Sequence, residues 1–183
     1  MKRAYIIALL FPAVFPALSQ DFQPTRVGLV EAKYDRLADT TTLQCNLVEL
    51  GEGAPKLTVN ANAFFRGKEP SGTAIFWLGL ASYKGGATRR TPRLFKEATI
   101  LYLTMDSARL EVAVKDYRND FYELNLLLAE SARAEINRED LRKLLDAQSI
   151  EGKWGDIDFK LSDVAIASLK DFISRHIFAA NDR

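Results

Sequence analysis

The sequence is poor in the residues that carry most protein chemistry, because it contains one cysteine and one histidine. A disulfide within the chain is therefore impossible, and a zinc site would need several cysteine or histidine ligands close together. A Ser/His/Asp or Cys/His arrangement would have to use His176, which lies near the end of the chain. Glycine-rich phosphate-binding motifs are missing as well. The sequence thus predicts no catalytic residues, no metal and no cofactor.

Neither sign of charge is in excess, since 25 basic residues stand against 24 acidic ones. Nucleic acids and anionic membranes are bound through concentrated positive charge, so this balance argues against both as partners. After residue 19 no apolar run approaches the roughly 20 residues that a membrane helix requires. We therefore expect no integral membrane segment in the mature chain.

The N-terminus has the pattern of a secretory signal peptide. Two basic residues precede an apolar run over residues 4–18, and small residues at positions 17 and 19 fit a cleavage site. The run is short for a membrane span and contains two prolines. We predict a signal peptide at residues 1–19 and a single α+β domain at residues 20–183, exported to the periplasm or secreted.

Period-two alternation predicts antiparallel strands over most of residues 27–128. In the segment KLTVNANAFF, apolar residues alternate with polar ones, the pattern of a strand with one buried and one solvated face. Cys45 alternates in the same way with Leu43 and Leu47, so we predict a buried thiol; pairing with a second chain is the alternative. Turn-forming residues separate the strands, and residues 106–107 mark one hairpin turn.

Two helices are predicted in the C-terminal part of the chain. Asn137 is placed to cap the first, and Ser162 caps the second, which carries apolar residues at helical spacing. Between them a hairpin turns near Trp154 and Gly155. The predicted fold class is α+β: about 8–9 mostly antiparallel strands in a sandwich-like or strongly curved sheet, with the helices packed on one face or one end.

The segment YDRLADTTT, residues 34–42, is the first candidate for a site. Asp35 and Asp39 can each accept a hydrogen bond from a backbone N–H two residues on, and threonines such as Thr41 favour a return to extended chain. Carboxylate and hydroxyl oxygens also suit calcium, but the dense acidic spacing and the glycine of a calcium loop are missing. We interpret Tyr34, Asp35, Asp39 and Thr41 as turn chemistry or as an interaction motif that recruits a partner strand.

Two further groups of residues are candidates for ligand binding. Arg89, Arg90 and Arg93 follow a Gly-Gly pair and could hold an anion bidentately, although such a charge run is more often a solvated loop. Aromatic residues in and beside the sheet could line a cavity for a small apolar ligand, or could pack in an ordinary core. The candidate cavity lining is Phe65, Trp77 and Tyr102.

The segments EAKYDRLADTTT and GKWGDIDFKLSD, the latter followed by LKDF, resemble a group of small exported bacterial proteins of uncharacterised function. Those proteins share a Tyr-Asp…Asp-Thr-Thr start and a Gly-x-x-x-Phe-x-Leu strand before a terminal helix, and the resemblance spans nearly the whole mature chain. It implies a common fold and a bacterial periplasmic or secreted location. It implies no activity and no ligand.

The leading hypothesis is an exported, non-enzymatic module that acts through contacts with a protein partner, since sheet edges can bind other chains. The alternative is a periplasmic carrier of a small apolar or amphipathic ligand in an aromatic-lined cavity. An enzyme that uses carboxylates comes third. Asp156 and Asp158 share a strand face, but Lys160 beside them is typical of a solvated surface.

Overall fold

The computed structural model describes residues 27–50, 56–69, 74–93 and 95–178, and the predicted signal peptide at residues 1–19 lies outside them. In this part of the chain there are nine strands and two α-helices, together with a short 3₁₀ turn at Glu123–Asn125 and a π-helical turn at Ser174–Phe178. The strands are β1 (Val30–Asp35), β2 (Thr40–Leu50), β3 (Lys56–Arg66), β4 (Ile75–Lys84), β5 (Ile100–Met105), β6 (Ala108–Tyr122), β7 (Leu127–Glu135), β8 (Ile150–Trp154) and β9 (Ile157–Lys160). The helices are α1 (Arg138–Asp146) and α2 (Asp163–Ile173).

The described strands join one antiparallel sheet in the order β1-β2-β3-β4-β7-β6-β5-β8-β9. This sheet is curled into a half-barrel, and β2 and β9, which lie near its two ends, approach each other. The α+β class, the mostly antiparallel pairing and the two helices in the C-terminal part are therefore confirmed. The sandwich-like alternative is not confirmed, because the described strands form a single sheet.

Local irregularities in the pairing bend the sheet. The register of β2 with β3 shifts between Asn46 and Val48, and that of β6 with β7 shifts between Lys115 and Arg118. At the second shift Asp116 has a left-handed backbone, with φ 52°. An extra residue in one strand of a pair bends that strand and increases its twist. The 15-residue strand β6 can thus follow the curl from one neighbour to the other.

Helix α2 packs against the inner face of the half-barrel. Its N-terminus is capped by Ser162, whose hydroxyl accepts a hydrogen bond from the Ala165 backbone N–H at 3.3 Å. Phe172 is 1% exposed, and its ring meets that of Phe76 in β4 edge to face, with the centroids 6.3 Å apart. The buried residues of the helix are Ala165, Ile166, Leu169, Phe172 and Ile173. The apolar residues that recur at helical spacing in the sequence therefore form the helix face that packs against the sheet.

The remaining C-terminal elements close the core around α2. Asn137 caps α1 by accepting a hydrogen bond from the Asp140 backbone N–H at 2.9 Å, as the sequence predicted. Trp154 at the end of β8 is fully buried and stacks on Phe95 with the ring centroids 3.7 Å apart. Its indole N–H donates to the carbonyl of Ala98 at 3.1 Å, so the buried polar atom of this side chain has a partner.

Candidate functional site

The first strand, β1, forms one edge of the sheet and is exposed along its whole length. It pairs antiparallel with β2, and no other described strand lies on its second side. In an antiparallel pair, alternate residues direct their N–H and C=O groups toward the partner strand, so the remaining groups of β1 point away from the sheet. Such a row of backbone groups can pair with the strand of another chain.

One face of β1 is apolar and continues the inner face of the sheet. Val30, Ala32 and Tyr34 alternate on this face, and each lies opposite a buried residue of β2. The pairs are Val30 with Cys45, Ala32 with Leu43 and Tyr34 with Thr41. Residues directly opposite share a face of the sheet, yet Val30 is 41% exposed and Tyr34 is 36% exposed. The apolar inner face therefore extends one strand beyond the buried core.

The opposite face of β1 carries the charged residues Glu31, Lys33 and Asp35. Neither Glu31 nor Lys33 takes part in an ion pair within the described ranges. Natural edge strands are commonly protected by charged side chains such as lysine, by proline, by a bulge or by a charge that points inward. Strand β1 contains no proline, pairs with β2 without a register shift and has no charge on its apolar face. Among the described residues, the charged outer face is therefore the protection that this edge has, and no described strand pairs with its free side.

The tip of the β1–β2 hairpin contains the predicted turn at Asp35. Its carboxylate accepts hydrogen bonds from the backbone N–H groups of Leu37 at 2.8 Å and Ala38 at 3.1 Å. These two hydrogen bonds lower the pKa of Asp35, and the one from Ala38 has the larger effect. The second predicted Asx-turn is not formed, because Asp39 adopts a left-handed backbone with φ 50° and its carboxylate accepts from the Tyr34 hydroxyl at 2.9 Å. This hydrogen bond is the main cause that raises the pKa of Tyr34.

The hairpin tip is also fastened to the end of β3. The Thr41 hydroxyl donates to the Gly67 carbonyl at 2.6 Å, and the Gly67 N–H donates to the Asp39 carbonyl at 2.8 Å. The Lys68 ammonium lies 5.4 Å from the centroid of the Tyr34 ring. The structure therefore brings Tyr34, Asp35, Asp39 and Thr41 together in one hairpin tip, where the first three are exposed and Thr41 is buried. Turn geometry accounts for their contacts.

The beginning of β1 lies close to α2. Gly28 has a φ of 85°, and its N–H donates to the Asn46 carbonyl at 2.8 Å. A Cβ atom at Gly28 would overlap the Ser168 hydroxyl of α2, so glycine is required both by the backbone angle and by this close approach. The contact fixes the start of the exposed strand relative to the core. Leu29, next in sequence, is 51% exposed.

The three candidate anion-binding arginines lie beside the turn that joins β6 and β7. The Arg89 Nε donates to the Glu123 carboxylate at 2.8 Å, and the Arg93 Nε donates to the Asn119 side-chain oxygen at 3.1 Å. Arg90 is exposed. Two of the three guanidinium groups are therefore engaged with this chain's own β6–β7 segment, and they connect two loops.

The structure separates the three residues of the candidate cavity lining. Phe65 is 2% exposed and belongs to the core. Trp77 and Tyr102 alternate with the buried residues of β4 and β5, so both lie on the outer face of the sheet. These aromatic residues do not share one surface, since strands direct successive side chains to opposite faces.

Tyr102 lines an open groove of about 810 Å³ on the outer face of β5, β8 and β9. The Arg109 guanidinium lies 4.7 Å from the centroid of its ring. Four charged residues of the groove pair across strands: Lys160 with Glu151 at 2.9 Å, and Lys153 with Asp158 at 3.7 Å. These cross-strand pairs are those of a solvated strand face, as the sequence indicated for Asp158.

The residues with potential for nucleophilic chemistry lie in or against the core. Cys45 is fully buried, which confirms the prediction of a buried thiol, and burial is the main cause that raises its pKa. The His176 ring packs edge to face against Phe172, with the centroids 5.1 Å apart, and burial lowers its pKa. A thiol that is buried and protonated is a poor nucleophile.

A second exposed apolar surface was not predicted from the sequence. It lies at the β6–β7 turn, where Leu124 is fully exposed at 101%, Tyr122 is 52% exposed and Leu126 is 51% exposed. Leu126 also has a left-handed backbone, with φ 47°. The only sequence signal is the loss of alternation in the run LNLLL. This turn is the natural control surface for experiments on β1, since it too is apolar and exposed.

No group of three or more His, Cys, Asp or Glu side chains in the described ranges is arranged to hold a metal ion. None of the helices in those ranges is both long enough and apolar enough to span a membrane.

No known family model, curated protein or solved structure matches the chain. The resemblance to small exported bacterial proteins stays a prediction.

Proposed function

We propose that the protein is an exported, non-enzymatic module that acts through contacts with other proteins, and that the edge strand β1 is its docking surface. The uncovered apolar face of β1 carries this proposal. Val30, Ala32 and Tyr34 continue the face that is buried in β2 and β3, but among the described residues no helix or strand covers them. An exposed apolar surface bounded by charged residues is typical of an interaction site.

Strand addition is the binding mode that fits this surface. A partner strand would gain main-chain hydrogen bonds along the free edge, and its side chains would contact the apolar face. The contacts at the hairpin tip, Tyr34 with Asp39 and Thr41 with Gly67, hold the edge in place before binding. Less conformational freedom is then lost on association, which favours affinity.

The non-enzymatic part of the proposal is supported by where the scarce reactive side chains lie. Cys45 is buried, and His176 packs against a core phenylalanine. Export is supported by the signal-peptide pattern of residues 1–19. It predicts that protein recovered from the exported fraction of the native host begins at residue 20, which mass spectrometry of the intact chain measures.

Site-specific photo-crosslinking in the native host tests the docking surface. A photoreactive phenylalanine analogue replaces Ala32 in one variant and Leu124 in a matched control, because both residues are exposed and apolar but lie on different surfaces. Circular dichroism of each purified variant verifies that the fold is kept. We expect a crosslinked product of discrete mass from position 32 and none of that mass from position 124. Lack of a product at position 32, or the same product at both positions, would overturn the proposal.

A further inference from the structure

The chemistry of β1 also identifies a partner, and this inference rests on the proposed function. We propose that β1 pairs antiparallel with β1 of a second copy of this chain. The two-fold axis of this pair passes midway between Ala32 and its counterpart in the other copy. The two nine-stranded sheets then form one continuous sheet. Closed two-fold dimers are the commonest oligomers, and their interfaces must be self-complementary. The sequence VEAKYD meets that requirement in one register.

The symmetry restricts the registers that are possible. Two antiparallel strands side by side are related by a two-fold axis perpendicular to the sheet, which keeps the apolar faces of both copies on the same side. Directly opposite residues share a face, so apolar positions of β1 must oppose apolar positions and charged positions must oppose charged ones. Only two such registers pair five of the six residues of each strand.

In the first register the axis passes midway between the two copies of Ala32. Glu31 of one copy then lies opposite Lys33 of the other, and by symmetry the same pair forms twice. On the apolar face Val30 lies opposite Tyr34, also twice, and Ala32 opposes its own counterpart. Opposite charges and pairs of aromatic with β-branched side chains are the favourable cross-strand combinations.

In the second register the axis passes midway between the two copies of Lys33. Lys33 then lies opposite its own counterpart, and Glu31 lies opposite Asp35 twice, so every charged pair is repulsive. Registers that are shifted further pair three or fewer residues of each strand. Charge therefore selects the register centred on Ala32. Glu31 and Lys33 are available for it, since neither forms an ion pair within the described part of its own chain.

Charge reversal with sedimentation equilibrium of the mature chain, residues 20–183, tests this register. Glu31→Lys places like charges opposite each other at both pairs, and so does Lys33→Glu. We expect Lys33→Glu to dissociate about tenfold more readily than the wild type at low salt, because two attractive pairs become repulsive and every charged pair of the second register stays repulsive. Glu31→Lys should dissociate less readily than Lys33→Glu, because in the second register it places opposite charges at positions 31 and 35. The double variant Glu31→Lys/Lys33→Glu exchanges the two charges, restores both attractive pairs and should dimerise like the wild type.

Mixing the two single variants provides the matched control. A copy with Glu31→Lys and a copy with Lys33→Glu are complementary at both pairs, so an equimolar mixture should form heterodimers although Lys33→Glu dimerises poorly alone. An affinity tag on one of them lets the heterodimer be isolated and counted. A wild-type dimer that responds to neither the single reversals nor the mixture would overturn the register.

Engineered disulfides measure the register directly. Ala32→Cys should crosslink the dimer under oxidising conditions, because residues opposite each other have Cα atoms about 4.5–5.5 Å apart. Lys33→Cys should not crosslink, because position 33 is displaced by two residues from its own counterpart and lies beyond disulfide range. Cys45 is buried and does not compete. Crosslinking at position 33 but not at 32 would overturn the register in favour of the repulsive one.

The failure of this inference is distinguishable from failure of the proposed function. A wild-type chain that sediments as a monomer at its highest soluble concentration overturns the homodimer. If position 32 still crosslinks a different protein in the host, β1 remains a docking surface. If position 32 crosslinks nothing, as when residues 20–26 of the same chain cover the edge, both proposals fall.

Discussion

Replacing Phe172 by alanine tests whether α2 fills the inside of the half-barrel. The ring is 1% exposed and lies between the ring of Phe76 in the sheet, at 6.3 Å between centroids, and that of His176, at 5.1 Å. Truncation of a buried phenylalanine costs about 3–5 kcal/mol, because transfer free energy is lost and a cavity is left. Domains of this size have a free energy of unfolding of about 5–15 kcal/mol. The variant should therefore lose a large share of its stability.

Urea unfolding of a chain of residues 20–183, monitored by circular dichroism, measures the effect. We expect the midpoint to fall with an unchanged dependence on urea concentration, and the melting temperature to fall by about 2–4 °C per kcal/mol of lost stability. Val164→Ala is the matched control, since Val164 is 64% exposed on the same helix, and it should change stability by no more than about 0.5 kcal/mol. A loss below about 1 kcal/mol in Phe172→Ala would refute the reasoning that the ring is enclosed between α2 and the sheet.

Two further predictions concern the β5, β8 and β9 side of the sheet. Gly152→Ala should lower the free energy of unfolding in urea by about 1–3 kcal/mol, because its Cβ would overlap the buried Phe159 ring. Gly85→Ala is the control, since a Cβ there meets nothing within 4 Å. Equal losses in the two variants would contradict this prediction. Asp106 accepts hydrogen bonds from the backbone N–H groups of residues 148–149, which lower its pKa, so its stabilising contribution is complete above the unfolded-state pKa of about 3.9 and is lost as the pH falls through the lower folded-state value. The wild type should thus lose more stability than Asp106→Asn between about pH 6 and about pH 2 in urea unfolding, and equal losses would refute this contribution.

A feature of the fold could be predicted from the sequence when the residues that form it lie close together along the chain. The caps at Asn137 and Ser162 and the turn at Asp35 were predicted correctly, because each depends on residues two or three positions apart. The prediction of an Asx-turn at Asp39 was wrong, since the Asp39 carboxylate instead accepts a hydrogen bond from the Tyr34 hydroxyl on the other side of the hairpin. A contact of that kind requires both strands to be in place.

The candidate site was only partly predictable. The residues of YDRLADTTT do come together in one hairpin tip, as a local turn requires. The separation of Phe65 from Trp77 and Tyr102 also follows from strand alternation, once the strand bounds are known. The partners of Arg89 and Arg93 lie more than 20 residues away along the chain, and no local pattern indicates them.

The sequence by itself determined the scarcity of reactive side chains, the strand alternation and the helix caps, because composition and near-neighbour spacing are local properties. Only the tertiary structure decided which strand became the edge. Val30, Ala32 and Tyr34 alternate in the same way as Leu57 and Val59, yet the former are exposed and the latter are buried. Burial depends on which elements lie next to a strand: β3 lies between β2 and β4 and its apolar residues belong to the core, whereas β1 has a strand on one side only among the described residues.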